Sequence, residues 1–177
     1  MKKYSILIIT LFMFTGAWAQ VKQTVSKASV TYEIKNMGIK TNGKFGGAQA
    51  DINFDKANLA GSSIEASIDV NTIDSDNAMR DNHLKGEDYF DAAKYPRIIM
   101  KSTSFKQKGG NNFVGMFNIT IKGKTKAVEV PFTYTDSANT ALFKSIFKIN
   151  RQDFGVGGKS MVLADDVNVM LAVETSK

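Results

Sequence analysis

Residues 113–121 read FVGMFNITI, with an apolar or small side chain at every second position from Phe113 to Ile121. A period of two is typical of a β-strand with one buried face, because successive side chains point to opposite sides. The same alternation recurs along the chain on both sides of this stretch. We therefore predict eight strands, at or around 30–35, 44–54, 64–71, 97–105, 113–121, 126–134, 143–149 and 167–173.

Short turns join these strands, among them the pairs Asn42-Gly43, Gly109-Gly110 and Lys122-Gly123. Short turns connect antiparallel neighbours, and eight such strands hide their apolar faces by closing into a barrel or folding into a sandwich. We predict an all-β fold, an eight-stranded antiparallel barrel. Its interior is expected to be apolar, unlike that of an outer-membrane barrel, because the opposite strand faces carry long charged side chains: Glu33, Lys35, Glu65, Asp69, Lys101, Lys144 and Lys148.

Two segments interrupt the strand pattern. Residues 74–77 supply helix N-cap side chains, 78–85 can form two helical turns, and Gly86 follows as a C-terminal stop. This predicts a short helical insertion between the third and fourth strands, over one end of the barrel. The second segment, 150–165, is rich in glycine and too long for a tight hairpin, so a rim or lid is predicted there.

The first nineteen residues resemble a cleaved export signal. Lys2 and Lys3 precede the apolar run 6–14, and Ala17-Trp18-Ala19 places small residues at the cleavage positions. We predict a signal peptide at 1–19 and one domain at 20–177, exported to the periplasm, although secretion beyond an outer membrane stays open. The apolar run is too short for a comfortable membrane span, so no permanent membrane anchor is expected.

Composition narrows the function classes. Cysteine is absent, which excludes disulfides and thiolate chemistry. Loss of Lys2 and Lys3 with the leader lowers the net charge from +6 to +4, and the remaining lysines are dispersed. Nucleic-acid binding requires a basic stripe interleaved with exposed aromatic residues, and neither is present, so it is not expected.

Several motifs carry a family resemblance. They are DNHLKGEDYFD at 81–91, KYP at 94–96, NRQDFGVG at 150–157, MG at 37–38, GKF at 43–45 and GMFNITIKGKT at 115–125. In their order and spacing they resemble the YceI family of exported lipid-binding proteins. The resemblance implies a lipocalin-like antiparallel barrel that carries a polyisoprenoid, an isoprenoid quinone or a related long apolar chain, with no enzymatic step.

Inward-facing apolar residues are the candidates for the lining of such a barrel, although each is equally compatible with a packed core. They are Phe45, Ile52, Phe54, Ile64, Ile68, Met100, Phe117, Ile119, Phe143 and Phe147. Two polar residues are candidates for the rim. His83, the only histidine, lacks partners for a metal site, and Arg151 can hold a headgroup or form an ion pair with Asp153 or Asp88.

The sequence is compatible with three functions. The first is a lipid carrier without a cofactor or metal, whose partner is the long-chain ligand and which can form a homodimer. The second is an enzyme acting on a lipid or quinone, with His83 and Arg151 as its polar groups. The third is a ligand-free, stress-related structural module, and a cavity of about 300 Å³ or more separates the carrier from it.

Overall fold

The computed structural model describes residues 22–176, so the predicted leader at 1–19 lies outside the described residues. The strands are β1 (Lys22–Asn36), β2 (Ile39–Phe45), β3 (Gln49–Asn53), β4 (Ser63–Asp69), β5 (Arg97–Gly109), β6 (Asn112–Ile121), β7 (Lys124–Asp136), β8 (Thr140–Asn150) and β9 (Leu163–Ser176). Helix α1 (Ala78–Lys85) lies between β4 and β5, and short 3₁₀ turns occur at Leu59–Gly61, Val70–Thr72 and Arg151–Phe154.

The strands close into an antiparallel barrel because β1 pairs on both of its edges. One edge pairs with β9, and the other pairs with β2 and β3. The β1 partners Val30↔Phe45 and Gln23↔Ile52 have one common register, so β2 and β3 are two parts of a single barrel strand. The predicted eight-stranded barrel is confirmed.

The strand predicted at 44–54 is interrupted at 46–48, which separates β2 from β3. Gly47 has a φ of +60°, a left-handed conformation that suits glycine. The backbone N–H of Gly46 donates to the hydroxyl of Thr72 at 2.8 Å instead of to a neighbouring strand. The turn predicted at Asn42-Gly43 is also wrong, because both residues lie within β2 and the chain turns at Met37-Gly38.

Helix α1 begins and ends as predicted. The side chain of Asn77 accepts from the N–H of Arg80 at 3.0 Å, and the N–H of Gly86 donates to the carbonyl of His83 at 3.1 Å. The segment before the helix is attached to β2, where Lys44 and Asp74 exchange two backbone hydrogen bonds of 2.8 and 3.0 Å. Their side chains form a further ion pair at 3.0 Å.

The apolar strand faces point inward, as predicted, while charged pairs such as Lys101–Glu65 are exposed on the outside. One end of the interior is filled by stacked and edge-on rings, which we call the aromatic plug. The ring of Phe54 lies at its centre, 4.8–5.6 Å from five other rings. The members of the aromatic plug are Phe54, Phe105, Phe113, Phe132, Tyr134 and Phe143.

The opposite end is covered by three segments that are tied together. The ammonium of Lys122, in the β6–β7 turn, donates to the carbonyls of Glu87 at 2.6 Å and Gly155 at 3.2 Å. The N–H of Gly157 donates to the carbonyl of Asp88 at 2.8 Å. The α1 segment, the 151–162 segment and the β6–β7 turn therefore form one connected cover.

Candidate functional site

A cavity of about 370 Å³ lies between the aromatic plug and this cover. Its lining is mostly aliphatic and aromatic, and strands from around the barrel contribute to it together with α1. Val25 and Ala50 form part of its lining and also pack against the buried core cluster that includes the aromatic plug. A concave apolar space with few polar groups is the usual form of a site for an apolar small molecule.

Five of the ten predicted lining residues border the cavity: Phe45, Ile68, Met100, Ile119 and Phe147. The other five lie in or against the packed core at the plug end: Ile52, Phe54, Ile64, Phe117 and Phe143. All ten face inward. Phe45 and Ile52 are an odd number of residues apart, and they share a face because the strand is interrupted at 46–48. The position of a residue along the barrel axis decides whether its side chain borders the cavity or packs in the aromatic plug. Alternation along a strand does not indicate that position.

His83 lies at the margin of the cavity, on α1. Its side chain is exposed, and its ring makes an edge-on contact with Tyr89 at a centroid distance of 4.8 Å. His83 therefore lies at the rim of the barrel.

Arg151 borders the cavity but is only 4% exposed, and every nitrogen of its guanidinium donates to the protein. Nε donates to the carbonyl of Ala164 at 2.9 Å, and Nη2 donates to Asp165 at 2.9 Å. Nη1 donates to three carbonyls, those of Val156, Gly157 and Gly158. Nη2 also donates to the carbonyl of Leu163. Its carboxylate partner is therefore Asp165, and neither Asp153 nor Asp88. The side chain holds the 151–165 segment together.

Tyr32 was not among the candidates, although it supplies the most unusual polar atom of the cavity. Its hydroxyl is buried without a hydrogen-bond partner among the described residues. Burial raises the pKa of Tyr32 to about 12, while the charge of Arg80 acts in the opposite direction. A Cβ at Gly43 would overlap the phenol ring, so this glycine provides the space that Tyr32 occupies.

Arg80, the second overlooked residue, projects from the first turn of α1 and also borders the cavity. Its Nε donates to the hydroxyl of Ser75 at 2.8 Å and its Nη2 to the carbonyl of the same residue. Within residues 22–176, Nη1 makes no hydrogen bond. We call the Tyr32 hydroxyl and the Arg80 guanidinium the polar pole of the cavity, because both can donate to an oxygen of a bound molecule.

The sequence contained a signal for Tyr32 but none for Arg80. Tyr32 shares the inward face of β1 with Val30 and Ile34, so a hydroxyl on an apolar face was visible in the alternation. The glycine opposite it was interpreted as part of a turn. Arg80 lies within a helix whose short, polar sequence gave no indication of the face that covers the barrel.

A family model described as the YceI-like domain matches residues 20–175. The chain belongs to the YceI-like family. A UPF0312 protein of Yersinia pestis is 27% identical over 180 residues, which cover 95% of this chain and 93% of that protein. Among solved structures, BcnA of Burkholderia cenocepacia superposes with a TM-score of 0.80 at 31% identity, covering 83% of this chain and 95% of BcnA.

A further solved structure, with lower sequence identity, shares the fold alone. It is a domain from Saccharophagus degradans described as polyisoprenoid binding, with a TM-score of 0.65 and 11% identity over 88% of this chain and 97% of that domain. This YceI-like chain has no membrane-spanning helix between residues 22 and 176. In the same range, no group of three His, Cys, Asp or Glu side chains is arranged to hold a metal ion.

Proposed function

We propose that this YceI-like protein binds a long-chain lipid, such as an isoprenoid quinone or another isoprenoid with a polar head, inside its barrel. The observation that carries the proposal is the apolar cavity of about 370 Å³ between the aromatic plug and the cover. A barrel with a filled interior would act as a structural module instead. The polyisoprenoid-binding description of the Saccharophagus domain supports the same ligand class.

The hydrocarbon tail supplies most of the affinity. Transfer of a methylene group from water to an apolar site contributes about 0.8 kcal/mol, so a few isoprene units already give strong binding. Side chains such as Ile68, Met100 and Phe147 offer an apolar surface with no hydrogen-bonding requirement. Tail contacts of this kind discriminate poorly between hydrocarbons of similar length.

The polar pole orients the ligand. The Tyr32 hydroxyl and the free Nη1 of Arg80 donate to an oxygen of the ligand head, a carbonyl or hydroxyl, while the tail extends toward the aromatic plug. An oxygen placed there pairs a buried hydroxyl that otherwise has no partner among the described residues. Tyr32 and Arg80 therefore take the role that sequence reasoning gave to His83 and Arg151.

Binding and release without a chemical step are sufficient for this role, and we propose that the protein transports or stores its ligand in the periplasm. The exposed His83 contributes rim surface in this proposal, so His83→Ala should retain most of the ligand affinity. An enzyme that used His83 would lose turnover in the same variant.

The test is a binding measurement on delipidated protein with geranylgeraniol, an isoprenoid alcohol. Ala66 borders the cavity on β4, and Ala66→Phe fills part of the space that the tail needs. The matched control is Ala127→Phe on β7, where the same ring is exposed on the outside of the barrel. We expect Ala66→Phe to weaken binding at least about tenfold and Ala127→Phe to leave it unchanged. Equal affinity in both variants would place the ligand outside the cavity.

A further inference from the structure

Four exposed apolar side chains cluster at the end of the barrel opposite the aromatic plug. Met37 and Ile39, in the β1–β2 hairpin, are 74% and 71% exposed, and Met161 and Val162, before β9, are 105% and 52% exposed. We call these four residues the apolar tip. Large apolar side chains that gather on an otherwise polar surface mark a place of contact with another apolar surface.

The two segments of the apolar tip are held in one arrangement. The N–H of Met37 donates to the carbonyl of Val162 at 2.7 Å. The next pair along the strands, Asn36↔Leu163, is a cross-strand pair of β1 and β9. The hydroxyl of Ser160 accepts from the N–H groups of Val162 and Leu163 at 3.2 and 3.0 Å. The apolar tip is therefore a defined surface formed by both segments.

The cavity reaches the base of this surface. Asn36 and Leu163, which border the cavity, are the chain neighbours of Met37 and Val162. Asn36 is itself exposed, so the cavity lining continues to solvent at this point. A molecule that enters or leaves the barrel here passes directly beside the apolar tip.

The charges next to the apolar tip favour an anionic partner. Among residues 35–40 and 158–166, the acidic side chains Asp165 and Asp166 are already paired, with Arg151 and Lys148. Lys40 is paired with Glu33. Lys35 and Lys159 are exposed and have no ion pair among the described residues. Apolar side chains flanked by free lysines suit the headgroup region of an anionic bilayer.

We propose that the apolar tip docks onto an anionic phospholipid bilayer, with Met37 and Met161 inserted at the level of the headgroups and Lys35 and Lys159 against the phosphates. Docking in this orientation points the cavity mouth at the bilayer, so the ligand moves between barrel and membrane without crossing water. This inference rests on the proposed lipid-binding function. Insertion of only four side chains buries a small apolar area in the bilayer. The attachment is therefore reversible, as a protein that carries a ligand to and from a membrane requires.

Flotation with vesicles tests this proposal on protein purified after expression of the full-length chain. One set of vesicles contains phosphatidylglycerol and phosphatidylethanolamine, and the other contains phosphatidylcholine alone. The tip variant is Met37→Ser with Met161→Ser. The matched control is Ile146→Ser, which removes a 70% exposed side chain from the wall of the barrel on β8. A charge variant, Lys35→Gln with Lys159→Gln, completes the set.

We expect the unaltered protein to bind the anionic vesicles, the tip variant to lose at least about tenfold in partitioning, and Ile146→Ser to match the unaltered protein. The charge variant should lose the preference for anionic over phosphatidylcholine vesicles, and high salt should abolish the same preference in the unaltered protein.

Absence of vesicle binding by the unaltered protein overturns the proposal, and so does an equal loss in the tip and control variants. A dimer that the tip variant abolishes also overturns it, because the tip is then an interface between two copies.

Solvent extraction of the same preparations separates this proposal from the proposed function. Protein that contains lipid but does not float with vesicles contradicts the docking surface alone. Protein without any lipid affinity contradicts the proposed function, whatever the flotation result.

Discussion

The hydroxyl of Tyr32 is the polar atom on which the ligand orientation depends. Because it is buried without a partner among the described residues, Tyr32→Phe removes an unpaired polar group from the delipidated protein. We expect the free energy of unfolding to stay equal or to rise by about 1 kcal/mol. Affinity for geranylgeraniol should fall about tenfold, while affinity for squalene, a hydrocarbon without a polar head, should not change. Destabilisation of the delipidated protein by Tyr32→Phe would contradict this assignment.

The raised pKa of Tyr32 predicts a loss of stability at high pH. The folded protein holds the phenol proton to about pH 12, whereas the ordinary pKa is 10.0. The folded state binds this proton more tightly than the unfolded state does. The stability that is linked to the proton is therefore fully present below pH 10 and is lost as the pH rises toward 12. Thermal melts across this range should fall less steeply for Tyr32→Phe than for the unaltered protein. Parallel decreases in the two proteins would show that Tyr32 titrates normally.

Arg151 connects two strands, a structural role that its residue type alone did not indicate. Its guanidinium joins the end of β8 to the start of β9 through the carbonyls of the intervening segment. Replacement by Met leaves several of these carbonyls without a donor, so Arg151→Met should lower the free energy of unfolding by about 3 kcal/mol. Asp165→Asn, at a half-exposed partner, should cost less than about 1 kcal/mol. Urea unfolding measures the free energy of unfolding of both variants. Small decreases of similar size in the two variants would contradict the role of Arg151 in holding the 151–165 segment together.

The elements themselves were largely predictable from sequence. Alternation of apolar side chains gave the barrel strands, and the Asn77 cap with Gly86 gave α1, because these signals are local. The interruption at 46–48 was missed because it depends on a distant hydroxyl, that of Thr72. The role of Arg151 was missed for the same reason, since its acceptors come together only after the 151–165 segment folds.

At the scale of the whole molecule, the aromatic plug sets the length of the cavity. Phe54 contacts five rings, and Phe54→Ala should cost about 3–5 kcal/mol because the surrounding rings refill the space only in part. The space gained should shift the preference toward longer isoprenoid alcohols in a binding series. The control is Val70→Ala, a buried position outside both the plug and the cavity lining. An unchanged length preference in Phe54→Ala would show that the tail does not reach the plug.

The division of the interior into plug and cavity could not be obtained from sequence. Phe54 and Phe45 both lie on the inward face and have the same side chain, yet the first is enclosed by rings and the second borders open space. The difference arises from how many large side chains meet at each level of the closed barrel. Only the three-dimensional arrangement of all eight strands determines that number.

The proposed function requires that the cavity holds a lipid. The most direct measurement is organic-solvent extraction of the protein purified from a bacterial host, followed by mass spectrometry of the extract and comparison with Ala66→Phe. We predict one long-chain isoprenoid or quinone in near-stoichiometric amount from the unaltered protein, and much less from Ala66→Phe. An extract without lipid, from protein that also fails to take up geranylgeraniol after purification, would contradict lipid binding in the cavity.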